Sequence, residues 1–112
     1  MKKWVLRFRV KDRKNFLEIK NGLKVVETRA ATERYRPIQK GDVLVFVCGK
    51  EKNQKMVKRV RIFKTIGAMI KTINFKKIMP SVSSTEELRD AYYSYPGYKE
   101  KISKFGIIAL DI

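Results

Sequence analysis

Three charged residues, Lys24, Glu27 and Arg29, are crowded into the segment Gly22-Leu23-Lys24-Val25-Val26-Glu27-Thr28-Arg29. Together they can do the chemistry of nucleotide recognition. A guanidinium forks onto a phosphate, an ammonium supplies a point charge, and a carboxylate accepts from a base amino group or orients the lysine. Strict alternation along a strand, however, puts Lys24 on the face opposite Glu27 and Arg29, and only a bend or bulge would bring all three together. The competing reading is a surface ion pair between Glu27 and Arg29, worth about 0 to 1 kcal/mol.

Further candidates lie outside that segment. Glu33-Arg34-Tyr35-Arg36-Pro37 places an aromatic between two arginines, so Tyr35 can stack a base while Arg34 and Arg36 hold its backbone, or Tyr35 can simply pack on the core. Lys55, Lys58, Arg59, Arg61 and Lys64 form the densest basic run, which alternation splits into Arg59 and Arg61 on one face and Lys58 and Lys64 on the other. Tyr92 and Tyr95 fall on an apolar helix stripe and are expected in the core, whereas Tyr93 and Tyr98 are freer.

Composition narrows what these residues can serve. Lys and Arg number 27 against 11 Asp and Glu, a net charge of +16, and no acid occurs between Lys52 and Thr85. Such an excess points to a polyanion, with RNA or a nucleotide as the expected partner. A thermophile's charged surface fits less well, because that bias raises Glu together with Lys. The chain has no histidine, which removes Ser-His-Asp and Cys-His mechanisms and leaves too few ligands for a typical zinc site. No metal and no cofactor is expected. The lone Cys48 has no disulfide partner, the arginines of Trp4-Val5-Leu6-Arg7-Phe8-Arg9 interrupt any export signal, and no apolar run approaches a membrane span. A cytoplasmic location follows as the expectation.

The elements that must position the candidates read as a single α+β domain over residues 1–112. Trp4, Leu6, Phe8 and Val10 alternate with Val5, Arg7 and Arg9 as a half-buried strand. Asp12 caps a short helix from Arg13 to Asn21 that Gly22 stops, and Lys24 to Arg29 is a short strand. Gly41-Asp42 turns into the apolar strand Val43 to Cys48, and a hairpin turn over Gly49 to Asn53 leads into a strand from Gln54 to Lys64. These two strands are expected at the centre of a barrel. A short helix over Thr72 to Met79 ends at Pro80. Ser84-Thr85-Glu86-Glu87 matches a capping box, with Leu88, Ala91, Tyr92 and Tyr95 as the buried stripe and Pro96-Gly97 as the stop. Gly106 to Ile112 is the last strand. Five or six strands with two or three flanking short helices predict a mixed β-barrel.

The segment from Gly22 to Arg29, the Gly41-Asp42 turn into Val43-Leu44-Val45-Phe46, and the closing Phe105-Gly106-Ile107-Ile108-Ala109-Leu110 together resemble the ASCH family, relatives of the PUA-like barrel. The family's G-x-K-x-x-E-x-R segment is matched by Gly22, Lys24, Glu27 and Arg29. The resemblance implies a PUA-like barrel with a small cleft that binds RNA or a nucleotide, and hydrolytic activity in some members. Those family amidohydrolases that act on acetylated cytidine use a Lys, a Thr and a Glu. Here Lys24 matches, but Glu27 stands where the hydroxyl nucleophile should be, with Thr28 beside it on the other face. Glu86 or Glu87 can stand for the acid, though the capping box accounts for Glu87 unaided.

The leading expectation is therefore an RNA- or nucleotide-binding domain using Lys24, Glu27, Arg29, Arg34, Tyr35, Arg36, Arg59 and Arg61. The alternative is a hydrolase of the same fold, acting on a modified nucleoside or on RNA, with Lys24 as base and Glu27 beside it. A third reading is an adaptor whose basic face docks a ribonucleoprotein. Oligomeric state is left open.

Overall fold

The computed structural model describes all 112 residues. Strand β1 (Lys3–Phe8) leads through a 3-10 turn into helix α1 (Arg13–Lys20), and β2 (Val26–Ala30) follows. Next come β3 (Val43–Cys48), β4 (Glu51–Met56) and β5 (Arg59–Phe63). Helices α2 (Ile66–Thr72), α3 (Phe75–Ile78), α4 (Thr85–Ser94) and α5 (Tyr98–Phe105) then precede β6 (Ile107–Asp111). The six strands form two three-stranded sheets, ordered β1-β3-β4 and β2-β6-β5. Only β1 and β3 run parallel; the other pairs are antiparallel.

The expected α+β class and strand number hold, but the expected barrel does not form. The predicted strand from Gln54 to Lys64 breaks at Val57 and Lys58. There Val57 N donates to Asp42 O at 2.8 Å, in the first sheet, and Lys58 N donates to Asp111 O at 2.7 Å, in the second. One residue's step thus hands the chain from one sheet to the other, as at the corner of a two-sheet packing rather than along a closed barrel. In consequence β3 is central to its sheet, as its apolar run requires, while β4 is a lysine-bearing edge.

The β2-β6-β5 sheet is covered on both faces over most of its length, which explains why β6 is apolar from Ile107 to Leu110. Ile108, Leu110 and Ile112 pack against Leu6, Leu44 and Phe46 of the other sheet, with Phe16 and Ile19 of α1. Ile107 and Ala109, on the opposite face, pack with Val26 and Ala30 of β2 and with Met69, Ile78, Leu88, Tyr92 and Ile102 of the helices.

Five helices replace the expected two or three. Thr65 Oγ1 accepts from Ala68 N at 3.0 Å to start α2, whose Ile66 and Met69 are buried. Helix α3 covers only Phe75–Ile78 of the predicted Thr72 to Met79. Helix α4 starts at the predicted cap, Ser84 Oγ accepting from Glu87 N at 3.2 Å, while the Glu87 carboxylate reaches one residue further back than in a capping box and accepts from Ser83 N at 3.0 Å. Gly97, expected as a stop, is also the N-cap of α5. Asp12 stands before α1 but makes no cap bond; its carboxylate accepts from Arg9 Nε at 2.7 Å instead. The aromatic-glycine pair before β6 has a steric cause. At Gly106, φ is +81° and a Cβ would lie 2.4 Å from Phe63 O, so only glycine fits where the chain enters beside β5.

Candidate functional site

Strand β2 is an edge of its sheet, and a cleft of about 230 Å³ opens along it. Its position decides which side chains can reach in. Glu27 and Arg29 pair in register with Leu110 and Ile108 and so lie on the face between the two sheets. Thr28 lies on the helical face, yet it too lines the cleft because the cleft wraps around the strand's free edge.

Lys24 joins Glu27 and Arg29 because it precedes the pleated strand. Leu23 N and Lys24 N both donate to Glu18 O, at 2.9 and 3.0 Å, which turns the chain as it leaves α1. Lys24 Nζ then sits 3.4 Å from Glu27 Oε1 and donates to Ile78 O. Arg29 Nη2 reaches Glu27 Oε2 at 3.2 Å, and Thr28 N donates to Glu27 Oε1 at 2.9 Å. The last bond satisfies a backbone donor that the open edge leaves without a strand partner. Side-chain exposure is 4% for both Lys24 and Glu27 and 13% for Arg29, so the surface ion-pair reading is set aside.

Burial alone would push the Glu27 carboxyl up. The Lys24 ammonium, the Arg29 guanidinium and the Thr28 N–H outweigh it and hold Glu27 below the ordinary carboxylate range. The site is thus a desolvated anion between two cations, carrying a net positive charge.

Aromatic rings surround this charged floor. The Arg29 guanidinium lies 5.0 Å from the Phe8 ring centroid and 5.7 Å from that of Tyr35, which fixes its plane. Tyr95 and Tyr98 meet edge to face with centroids 5.3 Å apart, and both line the cleft with Phe8 and Tyr92. Tyr92 hydrogen-bonds through its hydroxyl to Thr28 Oγ1. Burial holds the hydroxyls of Tyr92, Tyr95 and Tyr98 above the usual phenol value, so they act as neutral donors. Arg7 and Arg9 are exposed at the mouth, with the Arg9 guanidinium 5.5 Å from the Tyr95 ring centroid.

The other predicted residues lie elsewhere. Tyr35 packs against the core and backs Arg29 rather than facing the cleft. Arg34 is exposed, 5.4 Å from the Tyr35 ring, and Arg36 Nη2 donates to Phe105 O at 2.9 Å. Arg59 and Arg61 pair with Asp111 and line a second concavity together with Lys58, which alternation had placed on the opposite face. Glu86 and Glu87 are exposed on α4 and do not line the cleft.

Conversely, Arg7, Phe8, Arg9, Tyr95 and Tyr98 reach the cleft without having been singled out for it. The alternation of β1 correctly turns Arg7 outward, but nothing in it shows that this side of the strand meets β2. Tyr95 falls on the helix stripe and Tyr98 starts a helix that Pro96-Gly97 conceals.

No protein-family model and no curated protein matches the chain. Among solved structures it is similar to the crystal structure of hypothetical protein PH0355, with 27% identity, a TM-score of 0.84, and coverage of 97% of this chain and 95% of that one. It is also similar to the solution NMR structure of protein PF0455 from Pyrococcus furiosus, with 29% identity, a TM-score of 0.75, and coverage of 97% and 94%. The two-sheet architecture with its helical layer is therefore shared along almost the full length of both solved chains.

Proposed function

We propose that the cleft binds one nucleotide unit, free or within RNA, in a domain of the ASCH type. The observation that carries this reading is the buried Lys24-Glu27-Arg29 cluster beneath a ring of aromatic side chains. A buried ion cluster is a poor stabiliser compared with well-packed apolar residues, so a functional role accounts for it better than folding does. Tyr95 and Tyr98 offer faces and edges for a base, Glu27 offers an acceptor for base N–H groups, and Arg7 and Arg9 offer donors for phosphate at the mouth.

Binding is favoured over hydrolysis by the engagement of Lys24. Its ammonium donates to a carbonyl and lies against a carboxylate, the setting of a fixed charge rather than a base awaiting a substrate proton. The built cleft likewise favours a ligand-binding module over an adaptor that uses its charge alone. A reducing cytoplasmic setting suits the free, buried Cys48.

Calorimetric titration with the four ribonucleoside monophosphates tests the reading. Saturable binding to at least one is expected, weakened about tenfold or more in Arg9→Ala, which removes one charged hydrogen bond at the mouth. Absence of binding to all four, with the protein folded, contradicts it. Product analysis with acetylated cytidine should show no turnover; turnover lost in Lys24→Ala would favour the hydrolase.

A further inference from the structure

A second concavity, of about 290 Å³, lies where the helical layer runs out. Val26, Asp111 and Arg59 are register partners across β2, β6 and β5, so they share the sheet face that the helices cover. Val26 is buried there among helical side chains. Helix α2 stops at Thr72, and beyond it this face carries Asp111, Arg59 and Arg61 in place of apolar residues. Asp111 accepts from Arg59 Nε at 3.1 Å and from Arg61 Nη2 at 2.9 Å. Lys58 and Lys77 line the same groove, so among its side chains one carboxylate faces four cations. All four come from the acid-free stretch between Lys52 and Thr85. Concave walls concentrate such a field and draw an anion to it. Arg59, with 59% of its side chain exposed, is free to fork onto one, and the buried Arg61 Nε meets no acceptor in the protein.

The groove and the cleft share a wall. Lys24 lines the cleft and the next residue, Val25, lines the groove; Met79 lines the cleft and Lys77 the groove. Val25 N donates to Lys77 O at 3.1 Å, tying the two stretches of that wall together. A mononucleotide in the cleft cannot use the groove, whereas a strand with a repeating phosphate can. From this juxtaposition we infer that the groove holds the phosphodiester backbone of a single-stranded polynucleotide one of whose nucleotides occupies the cleft, an inference that rests on the nucleotide reading of the cleft.

The test compares a ribonucleoside monophosphate with oligoribonucleotides of increasing length, up to an octamer, on wild type and on the triple variant Lys58→Gln, Arg59→Gln, Lys77→Gln. All three side chains are exposed, so the variant should fold, which circular dichroism checks. Affinity should rise with strand length in the wild type. The triple variant should lose about tenfold or more for the octamer, and its log-log salt slope should shrink by about 0.7 for each phosphate it no longer neutralises. Its affinity for the monophosphate should not change. An octamer that binds wild type no better than the monophosphate, or binds both proteins alike, overturns the inference and leaves the cleft reading intact. Octamer binding that depends on the groove without any monophosphate binding supports the backbone site and overturns the cleft reading. Polyglutamate binding as tightly as the octamer overturns the inference in favour of an acidic protein partner.

Discussion

Glu27 and Asp111 each hold two cations, and they differ chiefly in depth. Glu27 lies with Lys24 and Arg29 at side-chain exposures of 4%, 4% and 13%, while Asp111 lies with Arg59 and Arg61 at 23%, 59% and 21%. At the surface, water and salt screen the attraction, and the side chains stay free to exchange partners. In the cleft the charges have lost their hydration and cannot leave, so each needs the others. One arrangement is a loose set of donors that an arriving anion can borrow; the other is a fixed, preorganised floor. In the proposed reading the same chemical grouping serves two tasks, and burial decides which.

The comparison is broken most severely by Glu27→Ala, which strands two cations at low exposure. It should cost about 3 to 5 kcal/mol in urea unfolding, the range for removing one partner of a buried pair. A loss below about 1 kcal/mol, the range of an exposed pair, would mean that Glu27 behaves as a surface residue. Next in size is Tyr92→Phe, which leaves the buried Thr28 hydroxyl without its partner. A loss of about 1 to 3 kcal/mol is expected, and an unchanged midpoint would show that the Thr28-Tyr92 bond adds nothing.

Acid sharpens the contrast further. Because the folded Glu27 carboxyl titrates below its ordinary value of 4.5, its contribution to stability is full above that value and is lost as pH falls through the lower, folded one. Wild type should therefore lose stability below about pH 4.5 more steeply than Glu27→Gln, as followed by thermal unfolding at successive pH values. Parallel curves would show that Glu27 does not carry this linkage. The smallest effect belongs to Asp111→Asn, about 1 kcal/mol or less and shrinking further in molar salt, whereas the cost of Glu27→Ala should barely change with salt.

The sequence discloses the members of the cleft better than their meeting. Glu27 and Arg29 follow from two-residue alternation, and Lys24 from the spacing of the motif, but its entry into the cleft depends on the turn that Glu18 O imposes before β2 begins. No periodicity contains that turn. The aromatic wall is harder still, since Phe8, Tyr95 and Tyr98 come from three elements whose packing is a tertiary fact. Ile66, Met69, Ile70 and Ile73 do carry the i, i+3, i+4, i+7 pattern of α2 behind the Thr65 cap, so this helix, unlike the aromatic wall, is legible in the sequence. The barrel expectation fails at one corner, Val57 and Lys58, where the hydrogen-bond partner changes sheet and the alternation slips phase, Met56 and Val57 both being apolar and Lys58 and Arg59 both charged. Alternation reports which face a residue takes, not which strand it pairs with.

The central claim is that the buried cluster and the rings around it form a nucleotide site, and two-dimensional NMR of the protein titrated with a ribonucleoside monophosphate tests it most directly. Saturable shifts should appear in the ring signals of Phe8, Tyr95 and Tyr98 and in the amides of Lys24 to Arg29, with Lys58, Arg59 and Lys77 unmoved. Shifts confined to the groove residues, or weak shifts scattered over every basic surface without saturation, would contradict the account.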